Sequence, residues 1–225
     1  QQQLSIGEQQ IKGIILEGPW DVVITQDSTS NSALLEYSLA AENRVSAELR
    51  SNGYLYLKVN PLRGRTWHRV FRAKISATSL EKIAASGAAD IETYGNFALC
   101  KDISLSGASE IEGLICTGEN LEITLSGASR IEDFTFRGNR IDADIAGASK
   151  IILDNANLNY CKVVCSGAST FQASGYATET SFDGGGSSDF NTLDFETDDL
   201  DIMLSGASST KVTVNNSISG ILSGA

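Results

Sequence analysis

Apolar and polar residues alternate in short runs along most of this chain. Leu121-Glu122-Ile123-Thr124-Leu125 places an apolar side chain at every second position. That period of 2 fits a strand with one buried face and does not fit a helix. The runs are spaced by a marker. Ser-Gly-Ala or a close variant recurs with its glycine at Gly87, Gly107, Gly127, Gly147, Gly167, Gly186, Gly206 and Gly224, at intervals of 20, 20, 20, 20, 19, 20 and 18.

Aligned on that glycine, the segments form columns. Four residues before it stand Ile83, Ile103, Ile123, Ala143, Val163, Phe182 and Ile202. Two before it stand Ala85, Leu105, Leu125, Ile145, Cys165, Leu204 and Leu222, and four after it Ile91, Ile111, Ile131, Ile151, Phe171 and Phe190. Like residues one repeat apart can stack only if each coil lies in register on the last, ~4.8 Å away. The pattern therefore predicts an all-β fold, a parallel β-solenoid of ~20-residue coils with Ile and Leu ladders as its core. Some seven coils make a rod of roughly 35 Å. The small residues around each glycine predict sharp corners with no room for larger side chains.

The first eighty residues follow another pattern. Ile11 to Ile24 reads as strand broken at Gly18-Pro19. Val45 to Ser51 and Tyr54 to Asn60 flank Asn52-Gly53, which predicts a hairpin with a type I′ turn. Residues 61–72, PLRGRTWHRVFR, read as an exposed loop. The expected organisation is an N-terminal β cap over residues 1–80 and solenoid coils over 81–225, in one continuous domain. Charge divides at the same place: 1–80 carry 9 Lys/Arg and 7 Asp/Glu, 81–225 carry 8 and 21. The whole chain is at −11, with pI near 4.5, which argues against nucleic acid as a partner. No apolar run reaches the ~20 residues of a membrane-spanning helix. Gln1 opens no signal peptide, so a targeting segment is expected to have been removed.

The segment Ile14-Ile15-Leu16-Glu17-Gly18-Pro19-Trp20-Asp21-Val22-Val23-Ile24-Thr25-Gln26 resembles the opening motif of the head-GIN-domain putative auto-transporter adhesins. Leu80-Glu81-Lys82-Ile83-Ala84-Ala85-Ser86-Gly87-Ala88 and the repeated Ser-Gly-Ala-Ser corners are similar to that family's coils. The resemblance covers roughly residues 11–225. It implies a right-handed parallel β-helix in a bacterial envelope, on the outer surface or secreted, often behind a lipoprotein signal. It supplies no catalytic residues to carry over.

Two rows of carboxylates are expected to face outward: Asp102, Glu122 and Asp142 five residues before the glycine, and Glu92, Glu112 and Glu132 five after it. Carboxylates at coil spacing repel unless a cation or basic partner lies between them. Calcium is the one cofactor such rows could take. The competing reading, a solvated face that keeps the rod soluble, is preferred because Arg130, Lys150 and Lys162 interrupt or end the rows. Gly184-Gly185-Gly186-Ser187-Ser188-Asp189-Phe190 resembles a calcium-binding nonapeptide, but it occurs once and in a repeat of the wrong length.

The loop carrying Arg63, Arg65, Trp67, His68, Arg69 and Arg72 is the basic, aromatic-bearing patch. It could grip an anionic glycan or lipid headgroup, or dock on the molecule's own acidic coils. Asp198, Asp199 and Asp201 form the densest acidic cluster, the requirement for a polysaccharide lyase or hydrolase. No histidine follows His68 and few aromatics are available to stack on sugars, so an enzyme is not expected. Cys100, Cys116, Cys161 and Cys165 read as buried free thiols, since Cys161 and Cys165 fall four apart on one strand and Cys100 and Cys116 fall at unlike coil positions. The expected role is a non-enzymatic surface protein, an adhesin or glycan-binding module whose partner is a surface glycan or a cell-surface protein. The alternatives are an assembly scaffold joined through solenoid ends and, third, a polysaccharide-active enzyme.

Overall fold

The computed structural model describes residues 2–4, 9–60 and 71–224. The expected ladders are present. Asp102–Leu105 pairs in parallel with Lys82–Gly87 on one side and with Ile115–Leu125 on the other, Ile103 lying between Ile83 and Ile123. The register then climbs through Arg130–Ile145, Lys150–Cys165, Thr170–Gly184, Asp189–Leu204 and Ser209–Leu222. The apolar columns before and after the glycines are buried as far as Leu204. They form one continuous core, each fully buried Leu or Ile contributing roughly 1.5–3 kcal/mol relative to exposure.

The corner explains its glycine twice over. Gly127 has φ 78°, and a Cβ there would lie 2.5 Å from the carbonyl oxygen of Gly107 one coil below. That oxygen accepts a hydrogen bond from the N–H of Ala128 at 2.7 Å, and the same link repeats up the rod. The coils approach at this corner through backbone alone. Two residues on, Ser109, Ser129, Ser149, Ser169 and Ser188 are buried, and each hydroxyl donates to the carbonyl three residues earlier. A buried hydroxyl without a partner would cost ~1–3 kcal/mol, so these bonds license a polar column inside the wall.

One coil departs from the repeat. Gly184 stands where Leu or Ile is usual, and a Cβ there would meet the Phe190 ring at 2.7 Å and Leu204 at 2.6 Å. Phe182 stacks on Phe190 at 4.7 Å and meets Phe171 edge-on at 5.9 Å, filling the volume the glycine leaves. Packing thus explains Gly184, and the corner explains Gly186.

The N-terminal segment is threaded into the rod. Gly13–Gly18 pairs in parallel with Lys82–Gly87, placing Gly18 on Gly87, and with Tyr54–Val59 on its other side. Asp21–Gln26 likewise lies between Arg72–Ala77 and Asp90–Tyr94. Stack order therefore differs from chain order: the coil from 13–26 sits between the layer formed by strands Tyr54–Val59 and Arg72–Ala77 and the coil starting at Lys82. At this end the last layers are antiparallel, Val45–Leu49 on Tyr54–Val59, and Ser32–Glu36 on Arg72–Ala77 with Gln2–Leu4 beyond it. Residue 80 marks the change in charge, while the ladder and the core run through it without a break. The Asn52-Gly53 hairpin forms, but with another turn than expected. Arg50 and Tyr54 pair across a three-residue loop, Gly53 alone takes positive φ (81°), and the Asn52 side chain accepts from the Tyr54 N–H. A type I′ turn needs positive φ at both central residues; this is the three-residue form with glycine in the left-handed position. Among the described residues no helix is long and apolar enough to cross a membrane.

Candidate functional site

The strand periodicity that buries Leu121, Ile123 and Leu125 turns Glu122 and Thr124 outward, and parallel register repeats that choice in each coil. The result is a set of outward columns. One runs Lys82, Asp102, Glu122, Asp142, Lys162; the next Ser104, Thr124, Asp144, Val164. Over Glu122, Thr124, Arg140, Asp142, Asp144 and Lys162 they enclose an open groove of about 450 Å³.

The charges in this row are partly matched. Lys82 pairs with Asp102 at one end. Arg140 grips Asp142 through both Nε and Nη2, the latter at 2.7 Å from Oδ1. That bond holds the guanidinium pKa above its ordinary value. The same guanidinium lies 4.3 Å above the Tyr160 ring, in the next coil. Arg140 is thereby fixed in position by a carboxylate and a ring. The face therefore presents carboxylate acceptors at ~4.8 Å coil steps beside one fixed cationic donor.

The second row, Glu92, Glu112 and Glu132, is in register on the far side of the corner. The Tyr94 hydroxyl donates to Glu92 at 3.1 Å, which raises the phenol pKa, and Lys150 reaches Glu132 at 3.5 Å. Glu92, Tyr94, Glu112 and Asp133 line a smaller hollow of about 220 Å³. The two rows do not converge, and among the described residues no three His, Cys, Asp or Glu groups are arranged to hold a metal ion. Asp198, Asp199 and Asp201 face hydroxyls and amides rather than bases: Tyr176 donates to Asp198 at 2.6 Å, Asn216 to Asp199 at 2.8 Å and Ser219 to Asp201 at 3.2 Å.

Arg63, Arg65, Trp67, His68 and Arg69 lie outside the described residues. Arg72 opens strand Arg72–Ala77, and its Nε sits 3.0 Å from Asp21 of the neighbouring coil, both side chains about half exposed. The expected acidic residues are all found on the outer faces. The contribution of Arg140 and Tyr160 escaped the sequence reading, although they stand twenty residues apart and the repeat places them in one column. Cys161 and Cys165 are buried in the core columns, and burial pushes each thiol pKa up to about 12. Cys100 and Cys116 are buried free thiols as expected, and although they fall at unlike coil positions their side chains are in contact.

A family model described as "Putative auto-transporter adhesin, head GIN domain" matches residues 11–225. Among solved structures, a putative adhesin from Parabacteroides distasonis ATCC 8503 superposes with a TM-score of 0.73 at 16% identity, covering 100% of this chain and 95% of that one. A putative adhesin from Parabacteroides merdae ATCC 43184 gives 0.71 at 13% identity, with coverage of 100% and 95%. A protein from P. distasonis ATCC 8503 named as a putative lipid binding protein gives 0.70 at 13%, with coverage of 98% and 96%. At these identities the likeness is one of fold. No curated protein matches the chain.

Proposed function

Because the chain belongs to the head-GIN-domain family of putative auto-transporter adhesins, we propose that it is a non-enzymatic adhesion module of the bacterial cell surface or envelope that binds glycan along the outer face of its coils. The observation that carries this reading is the groove over Glu122, Thr124, Arg140, Asp142, Asp144 and Lys162, where coil-spaced carboxylates lie beside Lys162 and an Arg140 held by Asp142 and Tyr160. Sugar hydroxyls both donate and accept, so a mixed row suits them better than a row of one sign. A glycan array probed with the wild-type chain, with Asp144→Ala/Lys162→Ala and with Arg65→Ala/Arg69→Ala tests it. The expected result is a defined set of bound glycans, with affinity about tenfold weaker in the groove variant, the loss of one charge-assisted contact. An array with no bound glycan, or binding lost only in the arginine-loop variant, overturns the groove assignment.

A second reading rests on strand Ser209–Leu222, which among the described residues pairs only with Asp189–Leu204 and leaves Ile218 and Leu222 at 60% and 70% exposure. Such an edge suits a scaffold that joins end to end. Sedimentation at rising concentration separates the two: a defined oligomer supports the scaffold, and a persistent monomer removes it.

A further inference from the structure

Cys116 lies on strand Ile115–Leu125 directly opposite Phe97 of strand Asn96–Phe97, in parallel register. Cys100 follows Phe97 by three residues, in a turn closed by its own N–H donating to the Phe97 carbonyl at 3.3 Å. Both cysteines are buried, at 1% and 0% exposure. A parallel neighbour stands about 4.8 Å away and a turn brings residues three apart within about 7 Å, so both cysteines are anchored on one point of the backbone. A disulfide needs Cα atoms roughly 4.4–6.8 Å apart, within the reach of this arrangement. The two thiols are in contact, and that contact, followed by burial, raises the Cys116 pKa far above the ordinary thiol value.

We propose that Cys100 and Cys116 form a disulfide that staples the coil ending at Cys100 to the coil above it when the chain folds in an oxidising compartment. The reaction is thiol–disulfide exchange with a small disulfide oxidant. One cysteine thiolate attacks a sulfur of oxidised glutathione, forming a mixed disulfide and releasing one glutathione thiolate. The second cysteine thiolate then attacks the protein sulfur, forming the Cys100–Cys116 bond and releasing the other glutathione. The two cysteines lose two electrons and two protons, and the oxidant becomes two molecules of glutathione. A buried thiol held in its protonated form is a poor nucleophile, so the bond forms as the two coils come into register, before they close over it and shield it. Cys161 and Cys165 stay reduced, being about 13 Å apart along one strand.

The test uses the full chain, reduced in denaturant and refolded with oxidised glutathione, then alkylated under denaturing conditions. Trypsin cuts after Lys82, Lys101, Arg130, Lys150 and Lys162 and so places each cysteine on its own peptide. The expected product is peptide 83–101 joined to peptide 102–130, with Cys161 and Cys165 alkylated, and a Tm about 5 °C above that of the reduced protein. Protein secreted into a bacterial periplasm and digested in the same way gives the same linked pair with no refolding step. Four alkylated cysteines, glutathione retained on Cys100 and Cys116, or a bond to Cys161 or Cys165 would each overturn the proposal.

Discussion

The hydroxyl of Ser86 reaches the carbonyl of Leu16 across 70 residues of chain, while Lys82 and Asp102 pair across 20. Both contacts join neighbouring layers of the same rod. In the coils beyond Lys82 each turn rests on the turn just made, so every contact is a near neighbour in sequence. At the other end the coil from 13–26 waits for two later segments to lie against it, one on each side. Identical ladder geometry thus arises from two kinds of connectivity. A solenoid is quasi-one-dimensional in space, and this one is so in sequence only past residue 80.

The largest effect separating the two regions is expected from Trp20, which is 1% exposed and meets Phe71 edge-on at 5.8 Å. Trp20→Ala should cost about 3–5 kcal/mol in chemical denaturation. If the threaded end organises the rod, the variant loses structure in a single transition. Two separated transitions, with the coils past residue 80 unmoved, would break the idea that the ladder is one cooperative unit. Within the regular coils, Gly127→Ala should cost about 2–3 kcal/mol, since its φ is in the left-handed region and the added carbon strikes the Gly107 carbonyl. Gly185→Ala is the control: nothing lies nearer its Cβ than Ser205 Oγ at 3.6 Å, and the change should be close to neutral. Equal losses at the two glycines would show that the corner, as distinct from glycine content, is not what fixes the coil.

The smallest effect sharpens the contrast at the threaded end. Asp27 follows strand Asp21–Gln26 and accepts from the Thr29 and Ser30 N–H and hydroxyl groups, which lower its pKa to about 2 from 3.8. A carboxylate depressed in the folded state stabilises above its unfolded pKa, and the contribution is lost as pH falls through the folded value. The Tm gap between wild type and Asp27→Ala should therefore be open near neutral pH and close between about pH 4 and pH 2. A gap that is unchanged at pH 2 would show that the side chain acts through packing instead.

The corner columns were legible because a steric demand repeated every twenty residues leaves the same residue each time. The threading is only partly legible in the sequence. Ile14, Leu16 and Val22 stand four before, two before and four after Gly18, the same offsets that bury Ile103, Leu105 and Ile111 around Gly107. Without a Ser-Gly-Ala signature, and with proline after the glycine, the segment looked like a broken strand. Pairing between distant segments has no local mark of its own. The groove was half legible: its carboxylates were found by column, whereas Arg140 over Tyr160 depends on side-chain direction. The Cys100–Cys116 contact leaves no mark in the columns, because Cys116 stands eleven residues before Gly127 and pairs with Phe97. Cys100 lies seven before its glycine, where Leu121, Ile141 and Cys161 lie six before theirs.

Threading has a bearing on how such a rod is made. A chain emerging N-terminus first presents residues 13–26 early, yet their parallel neighbours arrive only with residues 54–59 and 82–94. Closing the first layers thus spans a loop several times longer than any later coil requires, and loop closure precedes the contacts that reward it. Once that seed exists, each further coil adds on a finished template after about twenty more residues. Assembly then resembles crystal growth, with a slow nucleus followed by layer-by-layer accretion. Until that seed closes, the later coils have no finished layer on which to grow.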